Sequence, residues 1–119
     1  MKLEEKILTQ CENAREAALK LANIKTSEKD ESLIRIAKAL EERKFEIIKA
    51  NQLDVEESKG KISAALLKRL KVDSSKIREM VAMVKGVVKL EDPVGKILAG
   101  TEMDTGLELF KVAVPIGVI

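Results

Sequence analysis

Apolar residues recur every three or four positions along residues 3–88, the spacing that places side chains on one face of a helix. The pattern predicts a first helix over residues 3–22. A second helix is expected to begin at Thr26 or Ser27, because either side chain can accept a hydrogen bond from a free backbone N–H of the first turn. Acidic residues follow at once, and negative charge stabilises the N-terminal end of a helix.

The apolar spacing continues through residues 33–57, which is long for a single helix of a globular protein. We therefore expect a bend near residues 42–44 or near Asn51. Gly60 is the expected stop, and a short helix follows within residues 62–70.

The next helix carries the clearest apolar stripe of the chain. Asp73 or Ser74 is its predicted cap. The stripe consists of Ile77, Met80, Val81, Val84, Val87 and Val88. Gly86 interrupts this helix at a cost of about 1 kcal/mol relative to alanine, which suggests a close packing contact at that position.

The pattern becomes that of extended chain after Pro93, which cannot continue a helix. Two extended segments, residues 96–103 and 107–114, are separated by Asp-Thr-Gly, and Gly106 can take the positive φ that a three-residue hairpin loop needs. We therefore predict a β-hairpin. Both of its faces are partly apolar and its edges are open, so we expect it to join a sheet from another segment or another subunit.

The chain ends on Val-Pro-Ile-Gly-Val-Ile, residues 114–119, an apolar run with no closing turn. Chain termini usually lie at the surface in polar surroundings. An apolar end therefore predicts that more of a sheet lies beyond Ile119, and that the chain is the front portion of a longer protein.

Composition fits a globular protein with a charged exterior, since 45% of the 119 residues are hydrophobic and 35% are charged. Two Phe and no Tyr or Trp leave few surfaces on which bases could stack, and a net charge of +2 gives no general attraction to phosphate. For these two reasons we expect no nucleic-acid partner. We also expect no membrane partner, because no signal-peptide core and no apolar run long enough for a membrane span is present. A cytoplasmic location follows.

The chain contains no histidine, which excludes a histidine base, a Ser-His-Asp triad and a zinc site that uses histidine. Its single cysteine, Cys11, lies on the apolar stripe of the first helix, where a buried thiol is usually inert packing. The carboxylates of Asp54, Glu56 and Glu57 fit a solvated helix end better than a metal site. No glycine-rich phosphate loop occurs, so we assign no catalytic, cofactor-binding or metal-binding residue.

Residues 60–78 carry a local excess of five positive charges, six basic residues against the single acid Asp73. The basic residues are Lys61, Lys68, Arg69, Lys71, Lys76 and Arg78. Such a stretch can bind a phosphate group, although a solvated surface is the simpler interpretation.

Several segments resemble, in order and spacing, the N-terminal region of glutamate-5-semialdehyde dehydrogenase, also called gamma-glutamyl phosphate reductase, a family of the aldehyde dehydrogenase superfamily. They are Ala50-Asn51 with Asp54, the Asp-Pro-Val-Gly of residues 92–95, and the run from Gly106 to Ile119. The resemblance covers essentially the whole chain.

The resemblance implies an α/β fold of the aldehyde dehydrogenase type for the whole protein, with residues 1–119 as an N-terminal part that is mainly α-helical. Residues 1–92 would form a region of four or five helices, and residues 96–114 a β-hairpin like the one that the superfamily uses for oligomerisation. Residues 115–119 would begin the first strand of a Rossmann-like cofactor-binding sheet.

The same resemblance implies NADPH-dependent reduction of L-glutamate 5-phosphate to L-glutamate 5-semialdehyde in proline biosynthesis, with release of phosphate. In that chemistry a cysteine thiolate forms a thioester that hydride from NADPH reduces. The residues for these roles would lie beyond Ile119, and Cys11 does not occupy the place of the nucleophile, so the chain alone is expected to be inactive. The implied partners are the small-molecule substrate and further copies of the protein.

Two alternatives stay open at the level of sequence. One is another member of the aldehyde dehydrogenase superfamily with a different substrate. The other is a stand-alone helical module that pairs its hairpin with the sheet of a partner. A nucleic-acid role is a distant third and is suggested only by the basic stretch.

Overall fold

The structure, a computed structural model, describes residues 3–119. Its elements are α1 (Leu3–Leu21), α2 (Thr26–Glu42), α3 (Lys44–Ser58), α4 (Ala64–Leu70), α5 (Ser74–Val88), β1 (Ile97–Asp104) and β2 (Leu107–Val112). The described chain divides into two compact units, residues 3–26 with 91–119 and residues 27–90. The predicted helical segment with a terminal β-hairpin is confirmed.

The core of the second unit is a cluster of apolar side chains from α2, α3 and α5. Ala37 of α2 and Ile77 and Val81 of α5 are buried. The partly buried residues packed against them are Leu40, Ile47, Ile48, Val72, Met80 and Val84. The apolar stripe predicted for α5 therefore supplies much of this core.

The predicted bend lies at Arg43, between α2 and α3. Its backbone, with φ −97° and ψ 13°, departs from α-helical geometry. Hydrogen bonds nevertheless run through it: Arg43 N–H donates to Ala39 O at 2.9 Å, and Ile47 N–H donates to Arg43 O at 3.1 Å. The bend occurs without glycine or proline, and Leu40 and Ile47 on its two sides pack against the same core.

Side-chain caps define the starts of the last two helices. Ser63 Oγ accepts a hydrogen bond from Leu66 N–H at 3.3 Å, and Asp73 Oδ1 accepts one from Lys76 N–H at 2.9 Å. The cap predicted at Asp73 is therefore confirmed. The hydrogen bond from Lys76 N–H is the main cause that holds the pKa of the Asp73 carboxyl below its ordinary value, and nearby positive charges act in the same direction.

Gly86 makes no close packing contact, so the expectation from the sequence is wrong at this position. A β-carbon built on Gly86 would meet no heavy atom within 4 Å among the described residues. The residue lies nine positions after Ile77, and each residue of a helix turns by about 100°, so Gly86 faces away from the core.

The first unit contains α1 and the predicted hairpin, in which β1 and β2 pair in antiparallel orientation. The ring of Phe110 covers the backbone of the opposite residue, Gly100, where a β-carbon would approach Phe110 Cε1 to 3.1 Å. An aromatic side chain over a cross-strand glycine shields a stretch of backbone that would otherwise be bare. Every residue of both strands is exposed.

The hairpin turn uses Gly106 at a φ of 75°, the conformation that the sequence predicts. Asp104 still pairs with Leu107, so two residues separate the strands instead of the expected three. The second strand ends at Val112, and residues 113–119 are in no regular secondary structure. A Rossmann-like strand over residues 115–119 stays a prediction.

Truncation of Ile77 tests the core of the second unit. We expect Ile77→Ala to lower the free energy of unfolding by about 2 to 5 kcal/mol, because it removes a buried side chain and leaves a cavity. Met83→Ala in the same helix is the control, since Met83 is 63% exposed and should cost less than about 0.5 kcal/mol. Urea unfolding followed by far-UV circular dichroism measures both, and equal losses would contradict the assigned core.

Acid sensitivity tests the cap of α5. Because the pKa of Asp73 is lower in the folded chain than in the unfolded chain, its carboxylate stabilises the fold at pH above about 3.9, and this contribution is lost as pH falls through the folded pKa. Asparagine also caps helices, so Asp73→Asn should fold at neutral pH and show a shallower loss of stability in acid. Urea unfolding from about pH 7 to about pH 2 measures the slope. Identical slopes for the two proteins would rule out this role.

Candidate functional site

Cys11 is exposed, which corrects the expectation that it is buried packing. No described residue of α1 is buried, so the apolar stripe on which Cys11 lies has no packed layer against it. Cys11 and Arg15 of α1 line a cavity of about 530 Å³ together with residues 115–118 of the same unit. A cysteine without a base beside it is a weak nucleophile, and the described chain has no histidine to serve as one.

The acidic residues of α3 form no metal site. Asp54, Glu56 and Glu57 are exposed, and Glu56 forms an ion pair with Lys59. Nowhere in residues 3–119 do three carboxylate or thiol side chains come close enough to hold a metal ion. The structure therefore places this group on a solvated helix surface.

The elbow between α2 and α3 carries an open apolar cavity of about 450 Å³. Leu40 and Ile47 line it from the two helices, and at its rim Arg43 Nη2 lies 2.8 Å from Glu46 Oε2. The hydrogen bond from Arg43 is the main cause that lowers the pKa of the Glu46 carboxyl. Because this ion pair is solvent-exposed, it adds little to stability and offers no unpaired reactive group.

The basic stretch forms a cleft of about 600 Å³ at the junction of α4 and α5, which we call the basic cleft. It is lined by Lys68, Arg69, Lys71, Asp73, Ser75, Lys76 and Glu79. The structure thus brings four of the six basic residues of residues 60–78 together, and it leaves Lys61 and Arg78 outside the lining. A cluster of this charge favours anions.

Asn51 holds the backbone that connects α4 to α5. Its Nδ2 donates to Leu70 O at 2.9 Å, and its Oδ1 accepts from Val72 N–H at 2.7 Å. Asn51 is partly buried, and it fixes the position of Lys71 between those two residues. The sequence marks Asn51 as a possible bend and as part of the family resemblance, and in the structure α3 continues through this position. The sequence signal for such a bridge is an asparagine inside a helix, because its carboxamide can donate one hydrogen bond and accept another.

The hairpin is the second surface that can bind a partner. Leu107 and Leu109 of β2 and Met103 of β1 are each more than half exposed. Within the described chain the sheet has two strands, so each strand keeps one edge without a neighbour. Open strand edges with apolar side chains bind further strands or other copies of a chain.

None of the described helices is long and apolar enough to cross a membrane. The basic cleft and the hairpin are two surfaces of the described chain that can bind a partner.

No model of a protein family matches the chain. Curated proteins named gamma-glutamyl phosphate reductase are similar to it over most of its length. The one from Acetivibrio thermocellus is 49% identical over 106 residues, which are 88% of this chain and 25% of that protein. The one from Methanococcoides burtonii is 41% identical over an alignment of 122 residues, and the match covers 98% of this chain and 26% of that protein.

Two crystal structures of proteins with the same name are similar in fold. The Thermotoga maritima protein is 35% identical with a TM-score of 0.86, and the match covers 92% of this chain and 27% of that one. The Saccharomyces cerevisiae protein is 34% identical with a TM-score of 0.84, and the match covers 97% of this chain and 29% of that one. The chain spans about a quarter of the length of the curated relatives it matches, and by sequence and fold it matches a segment of the gamma-glutamyl phosphate reductases.

Proposed function

We propose that the chain forms the N-terminal part of an NADPH-dependent enzyme that reduces L-glutamate 5-phosphate to L-glutamate 5-semialdehyde in the cytoplasm. The observation that carries the proposal is the identity of 39 to 49% to proteins named gamma-glutamyl phosphate reductase over 88 to 100% of this chain. The fold also supports the proposal, since the TM-score to the Thermotoga maritima protein named gamma-glutamyl phosphate reductase is 0.86. The name describes reduction of an acyl phosphate, and NADPH as the hydride donor is our inference from the family resemblance.

The part of the chain described here supplies scaffold and binding surfaces to that reaction. Its only cysteine is exposed on α1 without a base, and its sequence contains no glycine-rich nucleotide loop. We therefore expect the residues that bind NADPH to lie mostly outside this chain, and we assign no step of hydride transfer to the residues present. We infer that the chain alone is catalytically inactive.

The hairpin is proposed to join copies of the whole protein. Its two strands are exposed along their full length, and Leu107 and Leu109 offer an apolar surface on one face of β2. Pairing of such an edge with a strand of another copy would satisfy its free backbone groups and cover apolar area.

A chimera tests the proposed function. This chain should replace the matching segment of the Acetivibrio thermocellus reductase with activity within about tenfold of the parent, a cost of about 1.4 kcal/mol in transition-state stabilisation. The assay follows NADPH formation during oxidation of glutamate 5-semialdehyde in the presence of phosphate, the reverse direction, because acyl phosphates are labile. The isolated chain should give no NADPH.

Cys11→Ser supplies the control, since an exposed thiol without a base should be dispensable and the substituted chimera should be as active as the first. The proposal is overturned by a chimera that keeps the parent's circular dichroism and assembly but forms no NADPH. Turnover by the isolated chain that Cys11→Ser abolishes would equally overturn it.

Charge on the hairpin tests self-association. The double substitution Leu107→Lys and Leu109→Lys should shift the chain from oligomer to monomer in sedimentation velocity, because it places like charges on a surface that two copies would bury. These residues are 59% and 60% exposed, so folding should change little. The matched control is Leu53→Lys with Met83→Lys, residues that are 62% and 63% exposed on α3 and α5. Loss of assembly in the control alone would refute the hairpin as the interface.

A further inference from the structure

We propose that the basic cleft between α4 and α5 binds the phosphate group of a small molecule. The cleft has a volume of about 600 Å³, which is enough for a phosphate group and part of the molecule that carries it. The proposal rests on side chains of the second unit alone and goes beyond the proposed reductase activity.

The charges in the basic cleft are unbalanced in favour of cations. Lys68, Arg69 and Lys71 make no salt bridge within 4 Å among residues 3–119. A guanidinium group can bind two phosphate oxygens at once, and lysine ammonium groups add charge-assisted hydrogen bonds. Three cations in one cleft that form no salt bridge with another described residue therefore favour an anion with several acceptor oxygens.

The acids that line the basic cleft are already engaged. Asp73 Oδ1 accepts the hydrogen bond of Lys76 N–H at 2.9 Å, as the cap of α5. Glu79 Oε2 lies 3.0 Å from Lys76 Nζ. Lys76 and Glu79 thus neutralise each other, while Asp73 caps α5 and also interacts electrostatically with Lys71. The four basic residues of the lining outnumber its two acids, so the cleft keeps a positive charge for a ligand.

The backbone of the basic cleft is held in place before any ligand binds. Asn51 Nδ2 donates to Leu70 O, and Asn51 Oδ1 accepts from Val72 N–H, so the residues on both sides of Lys71 are tied to α3. Fixing this segment in advance reduces the entropy that binding would otherwise lose. The Ser75 hydroxyl also lines the cleft and can donate to a phosphate oxygen.

A small phosphate compound matches the basic cleft better than nucleic acid does. Single-stranded nucleic acid is usually held by aromatic side chains as well as by charge. The chain has two aromatic residues, Phe45 and Phe110, and neither lines the cleft. The net charge of +2 also gives no general attraction to a polyanion.

Titration of the full 119-residue chain with inorganic phosphate tests the proposal, with chloride adjusted to constant ionic strength. Amide signals of residues 68–76 should shift saturably in nitrogen–proton NMR spectra. Arg69→Gln with Lys71→Gln should weaken phosphate affinity by about tenfold or more, the effect of losing at least one charge-assisted hydrogen bond. Arg35→Gln with Lys49→Gln removes the same charge outside the cleft and should leave the affinity within about twofold.

Equal weakening by both double variants would show a general charge effect and overturn the proposal. Linear, non-saturating shifts would do the same, as would saturable binding of a short single-stranded oligonucleotide without binding of phosphate. Circular dichroism of each variant confirms that it is folded. Because the chimera assay does not depend on these substitutions, failure of phosphate binding would leave the proposed reductase function standing.

Discussion

Packing of Ile77 and Val81 against Ala37 is the contact on which the second unit depends. Ala37 is 0% exposed, so a larger side chain there would displace its neighbours. The partly buried residues of α3 complete the cluster, which requires the chain to bend at Arg43. Since few side chains in the described part are fully buried, each contributes a large share of a small stability.

Asn51 connects this core to the basic cleft through hydrogen bonds. It lies on α3, whose Ile47 and Ile48 belong to the core, and its carboxamide holds the segment between α4 and α5. The cations around Lys71 therefore stand on backbone that is fixed by hydrogen bonds. Sites carried on such rigid supports keep their geometry better than sites on free loops. This is the physical connection between the packing of the second unit and the proposed phosphate site.

The helix and strands of the first unit, in contrast to the second unit, contain no buried core among the described residues. No described residue of α1, β1 or β2 is buried, although the strands carry many apolar side chains. Exposed apolar surface of this kind marks sites where other polypeptide segments bind. The chain spans about a quarter of its relatives' length, and under the proposed function the remainder of the protein and further copies would supply such segments. The proposed reductase function therefore accounts for surfaces that the chain by itself leaves uncovered.

Local sequence determined where most elements begin and end. The cap at Asp73 and the positive φ of Gly106 follow from chemistry within a few residues, and the structure has both. Residue types also decided what the chain lacks, because a sequence without histidine or a glycine-rich loop limits the chemistry that any fold can assemble.

Tertiary structure decided which apolar residues are buried and which polar groups meet. Gly86 and Cys11 both have sequence contexts typical of packed positions, yet α5 turns Gly86 away from the core and no layer covers α1. The hydrogen bonds of Asn51 to Leu70 and Val72 join residues about twenty positions apart. Four of the six basic residues of residues 60–78 line a cleft beside this fixed backbone. Periodicity identifies the face of a helix, but only the packing of one helix on another determines whether that face meets protein or water.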